Sequence, residues 1–164
     1  MNKIDEPFAP ALLSTKVFLS FTEVGNNIAE NLKKKIEHKV EGKCIPEGYI
    51  MPNSIRIESF SNGKIVEENV EFEVFYHCHI CLPVEGMEIE CITKFITKAG
   101  VHAEYIVDNK PIITFFITRD DNYDNPEFVK IKGPHVKILA KVTGVTYELN
   151  DPTICVIADL VKII

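Results

Sequence analysis

The spacing of apolar positions changes period along this chain, and each change marks a different kind of element. Residues 1–11 carry Pro7 and Pro10, which fix φ and remove backbone donors, so they read as a loosely held leader. The stretch "LLSTKVFLSF" that follows is rich in β-formers and has the length of a strand. In "TEVGNNIAENLKKKIEHKVEGK" the period lengthens: Val24, Ile28, Leu32, Ile36 and Val40 recur every fourth residue, which predicts an amphipathic helix. Thr22 can cap its start and Gly42 ends it. Lys33, Lys34, Lys35 and Lys39 fall on its later turns, where cations suit the helix dipole, and read as a solvated face.

Beyond Gly42 the pattern turns to β. "GKCIPEGYIMPN" is a loop punctuated by Gly and Pro, "SIRIESF" alternates, "SNGK" has hairpin-turn chemistry, and "VEFEVFYHCHICLP" predicts one long strand. Pro83 and Gly86 break this run. Downstream, "MEIECITKFITKAG", "VHAEYIV", "PIITFFIT", "HVKILAKVTGVTYE" and "TICVIADLVKI" are five short strands at a spacing that predicts a small closed β-barrel. The chain thus reads as two domains, an α+β half over residues 1–84 and an all-β half over residues 85–164.

Composition narrows the function classes. A formal net charge of −6 over 164 residues argues against a broad electrostatic grip on nucleic acid or anionic membrane. No apolar run approaches the roughly 18 residues of a membrane span. The first residues carry acids and prolines ahead of their apolar stretch, unlike a signal peptide. Five irregularly spaced cysteines without an export signal predict reduced thiols in an intracellular protein.

The densest chemical cluster is "YHCHIC". On a strand, His77, His79 and Cys81 share one face while Cys78 shares the other with Tyr76 and Ile80. Alternate residues lie about 6.5–7 Å apart, so two can reach one zinc and a third is strained. A structural zinc site also wants a second ligand pair, and Cys44, Cys91, His102, His135 and Cys155 are scattered singly. No metal site is therefore expected. "RDDNYDNPE" places Asp120, Asn122 and Asp124 like the opening of a calcium loop, but Asn125 and Ile131 stand where Gly and a bidentate Glu belong, which favours an acidic surface connection. With no phosphate loop, nucleophile elbow or triad spacing, no catalytic residue and no cofactor are expected. In the barrel half, Lys94, Phe95, Lys98, His102 and Tyr105 are candidates for stacking on single-stranded bases and neutralising phosphates, with Phe115 assigned to the core.

The order of these phrases resembles the larger stalk subunit of multisubunit DNA-directed RNA polymerases, the seventh subunit of eukaryotic polymerase II and its archaeal stalk counterpart. The resemblance rests on "VEGKCIPEGYI" directly after the helix, with Glu41, Gly42 and Cys44 opening a tip loop, and on the break at Pro83 and Gly86. It continues through Lys98, Gly100 and Val101 of "ITKAGVHAEY", the strand ending "FITR", and "VKILAKVTGVTYE". It spans residues 12–162, and the compact second hairpin, acidic connection and early end imply a divergent member from a large DNA virus.

The resemblance implies an N-terminal antiparallel sheet with one amphipathic helix, the tip domain, followed by a five-stranded OB-fold barrel. It implies a non-catalytic polymerase subunit whose tip docks on the large core subunits through Gly42, Cys44, Pro46, Glu47, Gly48 and Tyr49. The barrel is expected near the nascent single-stranded RNA, with a small helical stalk partner alongside and no membrane. The expected location is intracellular, a virion or cytoplasmic viral factory, or the nucleus for a cellular member. The alternative reading is a free-standing single-stranded RNA-binding OB-fold protein.

Overall fold

The computed structural model describes residues 5–164, which divide into two compact units. One is Ala9–Cys81; the other is Leu82–Ile164 with residues 5–8. The start of the expected leader, residues 1–4, lies outside the described residues.

In chain order the first unit contains β1 (Phe8–Ser20), α1 (Ile28–Val40), β2 (Cys44–Ile45), β3 (Gly48–Ile50), β4 (Arg56–Phe60), β5 (Lys64–Val66) and β6 (Asn69–Cys81). The strand β6 organises the sheet. β5, β4 and β3 pair antiparallel along successive parts of it, β2 pairs on β3, and β1 takes the opposite edge. β1 therefore begins earlier than the leader reading allowed, and it includes Pro10. A proline is tolerated there because β1 lies at the edge of the sheet and pairs on one side only.

The helix also differs from its sequence expectation, starting at Ile28 instead of Thr22. The reason is local. The Glu23 carboxylate accepts from the Ser20 backbone N–H at 3.0 Å and from its hydroxyl at 2.9 Å, locking a turn, and Asn27 adopts a left-handed φ of 75°. Those bonds from Ser20 hold the Glu23 carboxyl below its ordinary range. Asn31 then donates back to the Glu23 carbonyl at 2.9 Å, tying the first helical turn to this loop. Val24 still packs against the core from outside the helix. Leu32, Ile36 and Val40 bury one stripe of α1 against Val17, Leu19, Val70, Phe72, Val74, Tyr76 and Ile80.

The second unit contains β7 (Glu88–Ile96), β8 (Gly100–Val107), β9 (Lys110–Thr118), α2 (Arg119–Asn122), β10 (Lys137–Thr146) and β11 (Ile154–Ile163), with a 3-10 turn at Phe128–Lys130 before β10. The strands close into a barrel in the order β10-β11-β9-β8-β7, with β10 returning to β7. All pairs are antiparallel except β9 with β11, which run parallel. This is the OB-fold arrangement, with the helical connection between the third and fourth barrel strands. Alternation fills the interior with Ile89, Cys91, Val101, Ala103, Ile113, Phe115, Ile117, Val142, Val156 and Ala158.

Two details fix the barrel's shape. Gly100 opens β8 with a φ of +157°, and a Cβ there would run into the Ile117 carbonyl oxygen, so only glycine fits. The acidic connection is built into one end of the barrel. Asn122 is buried, donating to the Thr118 carbonyl and accepting from Leu160 N–H, both at 2.8 Å, while Asn125 donates to the Leu160 carbonyl at 2.8 Å.

Candidate docking and nucleic-acid surfaces

The predicted tip loop is a tight hairpin at the C-terminus of α1. Gly42, with a left-handed φ of 70°, turns the chain, and its N–H donates to the Ile50 carbonyl at 3.0 Å. Ile50 N–H returns to the Lys43 carbonyl at 3.1 Å, and Cys44 faces Tyr49 across the β2–β3 pair. Tyr49 in turn faces Cys81 on β6. Of the six residues singled out by sequence, Gly42, Cys44, Gly48 and Tyr49 are buried. Pro46 and Glu47 are exposed at the turn. The buried four shape the hairpin and the exposed pair is what it presents.

Side chains close over the base of the hairpin. The Tyr49 ring is fully enclosed, and its hydroxyl has no hydrogen-bond partner. Burial, followed by the nearby Cys44, Cys81 and Glu41, pushes its ionisation upward. Burial and then Cys44 push the Cys81 thiol up to about 12, so it stays protonated and is a poor metal ligand or nucleophile.

The "YHCHIC" run occupies β6 with the predicted alternation: Tyr76, Cys78 and Ile80 point into the core, while His77 and His79 lie on the other face. Cys81 is buried although it shares their parity. His77 Nε2 lies 2.7 Å from a Glu58 carboxylate oxygen on β4. Among the described residues no group of three His, Cys, Asp or Glu side chains converges on a point that could hold a metal ion.

The barrel brings together part of the predicted RNA face. Phe95 of β7 pairs in register with His102 of β8, and His102 with Phe116 of β9. The Phe95 and His102 rings stack at 4.3 Å and 20°, and His102 meets Phe116 at 4.8 Å and 41°. Phe116 is in turn in register with Ile157 of β11. With Phe95 at 45% and Ile157 at 48% exposure, the row is an apolar, aromatic strip four strands wide on the outside of the barrel. Phe95 and His102 were legible in the sequence; Phe116 and Ile157 were missed. Phe115 is in the core as expected, and the same alternation turns its neighbour outward.

The other candidates part from this strip. Lys94 forms an ion pair at 3.4 Å with Glu104, so its charge is already countered. Lys98 is exposed in the β7–β8 turn, where Arg119 Nε donates to its carbonyl at 3.0 Å and Nη2 to that of Thr97 at 3.3 Å. Tyr105 has the opposite parity to His102 and lies half-buried against Phe8, ring centres 5.8 Å apart.

No family model matches the chain. It is 27% identical over 90% of its length to a protein of Acanthamoeba polyphaga mimivirus provisionally named DNA-directed RNA polymerase subunit L376, covering 79% of that protein. The chain is thus similar to a DNA-directed RNA polymerase subunit over most of its length. Over 82 residues it is also 30% identical to DNA-directed RNA polymerase II subunit 7 of Arabidopsis thaliana and to RPB7 of Glycine max. That match covers 49% of this chain and 47% of each plant protein. The two-unit architecture, a helix-backed sheet and an OB-type barrel, is the one the resemblance implied. Among the described residues no helix is long and apolar enough to cross a membrane.

Proposed function

We propose that this chain is the larger, non-catalytic stalk subunit of a DNA-directed RNA polymerase encoded by a large DNA virus. The similarity to the mimivirus protein across 90% of the chain is the observation that carries this reading. In it, residues 1–84 are the domain that docks on the large core subunits, through the hairpin whose exposed tip is Pro46-Glu47. Residues 85–164 are the domain that holds an OB-fold near the exiting transcript, with a small helical protein as stalk partner.

The strip Phe95–His102–Phe116 supports contact with single-stranded RNA by base stacking. With Lys94 neutralised by Glu104 and a net charge of −6, phosphate neutralisation contributes little. RNA binding by this chain is therefore weak and shallow in its salt dependence.

The test is a gentle purification of the tagged chain from its native system, followed by mass spectrometry. Recovery with two very large polymerase subunits supports the reading and reveals whether a helical partner accompanies them. Recovery with ribosomes or loose RNA, and without polymerase, supports a free-standing RNA-binding OB-fold protein instead.

A further inference from the structure

The strand β1 ends its sheet, and among the described residues it pairs with β6 alone. Alternate residues of an edge strand direct their N–H and C=O groups away from the sheet, where they form a template for another strand. Beside this edge lies a crevice of about 280 Å³. It is lined by four consecutive residues of β1, 15–18, and by Lys35, Ile36, Lys39 and Val40 of α1. Successive residues of a strand face opposite ways, so four in a row line one space only if that space runs along the backbone. No residue of β6 lines it, which puts the crevice on the unpaired side of β1.

The side chains around the crevice define what fits. Val17, Ile36 and Val40 are buried and give it an apolar floor, and Phe18 beside them is 48% exposed. The exposed Lys16, Lys35 and Lys39 also line the space, and no acidic residue does. Lys16 lies 3.4 Å from Glu71 and Lys35 lies 3.7 Å from Glu23, whereas Lys39 has no ion-pair partner among the described residues. Lysine on an open edge keeps unwanted strands away. Here it also selects among them. A second copy of β1 would set its own lysine against these three, and like charges oppose that pairing. A strand carrying carboxylates meets the opposite sign.

We propose that the open edge of β1 is a docking site for an extended acidic segment of a partner protein. The segment adds as a further strand beside residues 15–18, seats an apolar side chain over Val17, Ile36 and Val40, and sets a carboxylate against Lys39. Backbone hydrogen bonds hold it, and the crevice and the lysine choose it. The β2–β3 hairpin lies at the other end of the strand order, so the two are separate surfaces of one sheet. The site stands whether or not that hairpin docks on a polymerase.

The test measures binding of a fluorescein-labelled octapeptide to the full-length chain by anisotropy. Threonine fills its odd positions, and valine and glutamate alternate at its even ones, so that apolar and acidic groups share one face. Wild type is expected to bind it saturably, and to bind a version with lysine in place of glutamate roughly ten-fold more weakly. Lys39→Glu, an exposed change that should leave the melting curve nearly in place, is expected to weaken binding of the acidic peptide roughly ten-fold. N-methylation at the odd or at the even positions removes the donors from one edge of the peptide at a time, and just one of the two is expected to abolish binding. No saturable binding by wild type overturns the proposal, as does equal affinity for the glutamate and lysine peptides. Undiminished binding by the Lys39→Glu variant overturns it as well. Equal affinity for the two N-methylated peptides means that no strand is paired, and overturns it too.

Discussion

In the unit Ala9–Cys81 the residues that the sequence singles out turn inward: Cys44 and Tyr49 are enclosed, and only Pro46 and Glu47 of the predicted docking set face solvent in force. In the barrel, Phe95 and His102 turn outward and line up with Phe116 across three strands. The tip thus presents a shape, a two-residue turn held by a buried base. The barrel presents side chains laid over a core that does not need them. Substitutions in the enclosed base of the first are expected to act through stability, and substitutions in the exposed strip of the second to leave stability nearly unchanged.

The sharpest way to break this contrast is Tyr49→Ala. Removing an enclosed ring from under the hairpin is expected to cost on the order of 4 kcal/mol in a urea or thermal denaturation experiment. Pro46→Ala and Glu47→Ala should stay within roughly 0.5 kcal/mol of wild type. If Tyr49→Ala is as stable as they are, the hairpin has no buried base.

Gly100→Ala comes next. The added methyl meets the Ile117 carbonyl oxygen at a φ that disfavours it, so a loss of about 3 kcal/mol is expected in the barrel's unfolding. Phe95→Ala and Phe116→Ala should leave the melting curve nearly in place. Each should weaken binding of a single-stranded oligonucleotide by about 1–3 kcal/mol, read by fluorescence anisotropy. Equal affinity in wild type and both variants would remove the strip as a stacking surface. The smallest effect belongs to Tyr49→Phe, which deletes a partnerless hydroxyl and keeps the ring: stability should hold or rise by up to about 1 kcal/mol.

Period and punctuation made most of the fold legible. The four-residue repeat located α1, and the five β-patterned segments after Pro83 marked the barrel strands. The helix start at Ile28 was hidden because Val24 continues the apolar repeat while Glu23 and Asn27 fold the preceding residues into a turn. That competition is decided by side-chain bonds to backbone, which periodicity does not register. The site was less legible for a related reason. Which of Phe115 and Phe116 faces outward depends on strand register, a one-residue matter, and Ile157 joins the strip only because β11 runs parallel beside β9. Lys94 reads as a phosphate contact until its ion pair with Glu104 on the neighbouring strand is seen.

The parallel pairing of β9 with β11 also orders events in time. Ile113–Ile117 find their partners only at Ile154–Ala158, and β10 lies between β11 and β7 in the closed ring. On a ribosome, every strand of the tip sheet has emerged by Cys81, so that sheet can close while the rest is still being made. The barrel has no such early stage: until β11 is released, β9 and β10 each carry an open edge, the state in which strands find the wrong neighbours. Closure by the last strand makes the barrel the slow-folding part of the chain, and the one with most to gain from a chaperone.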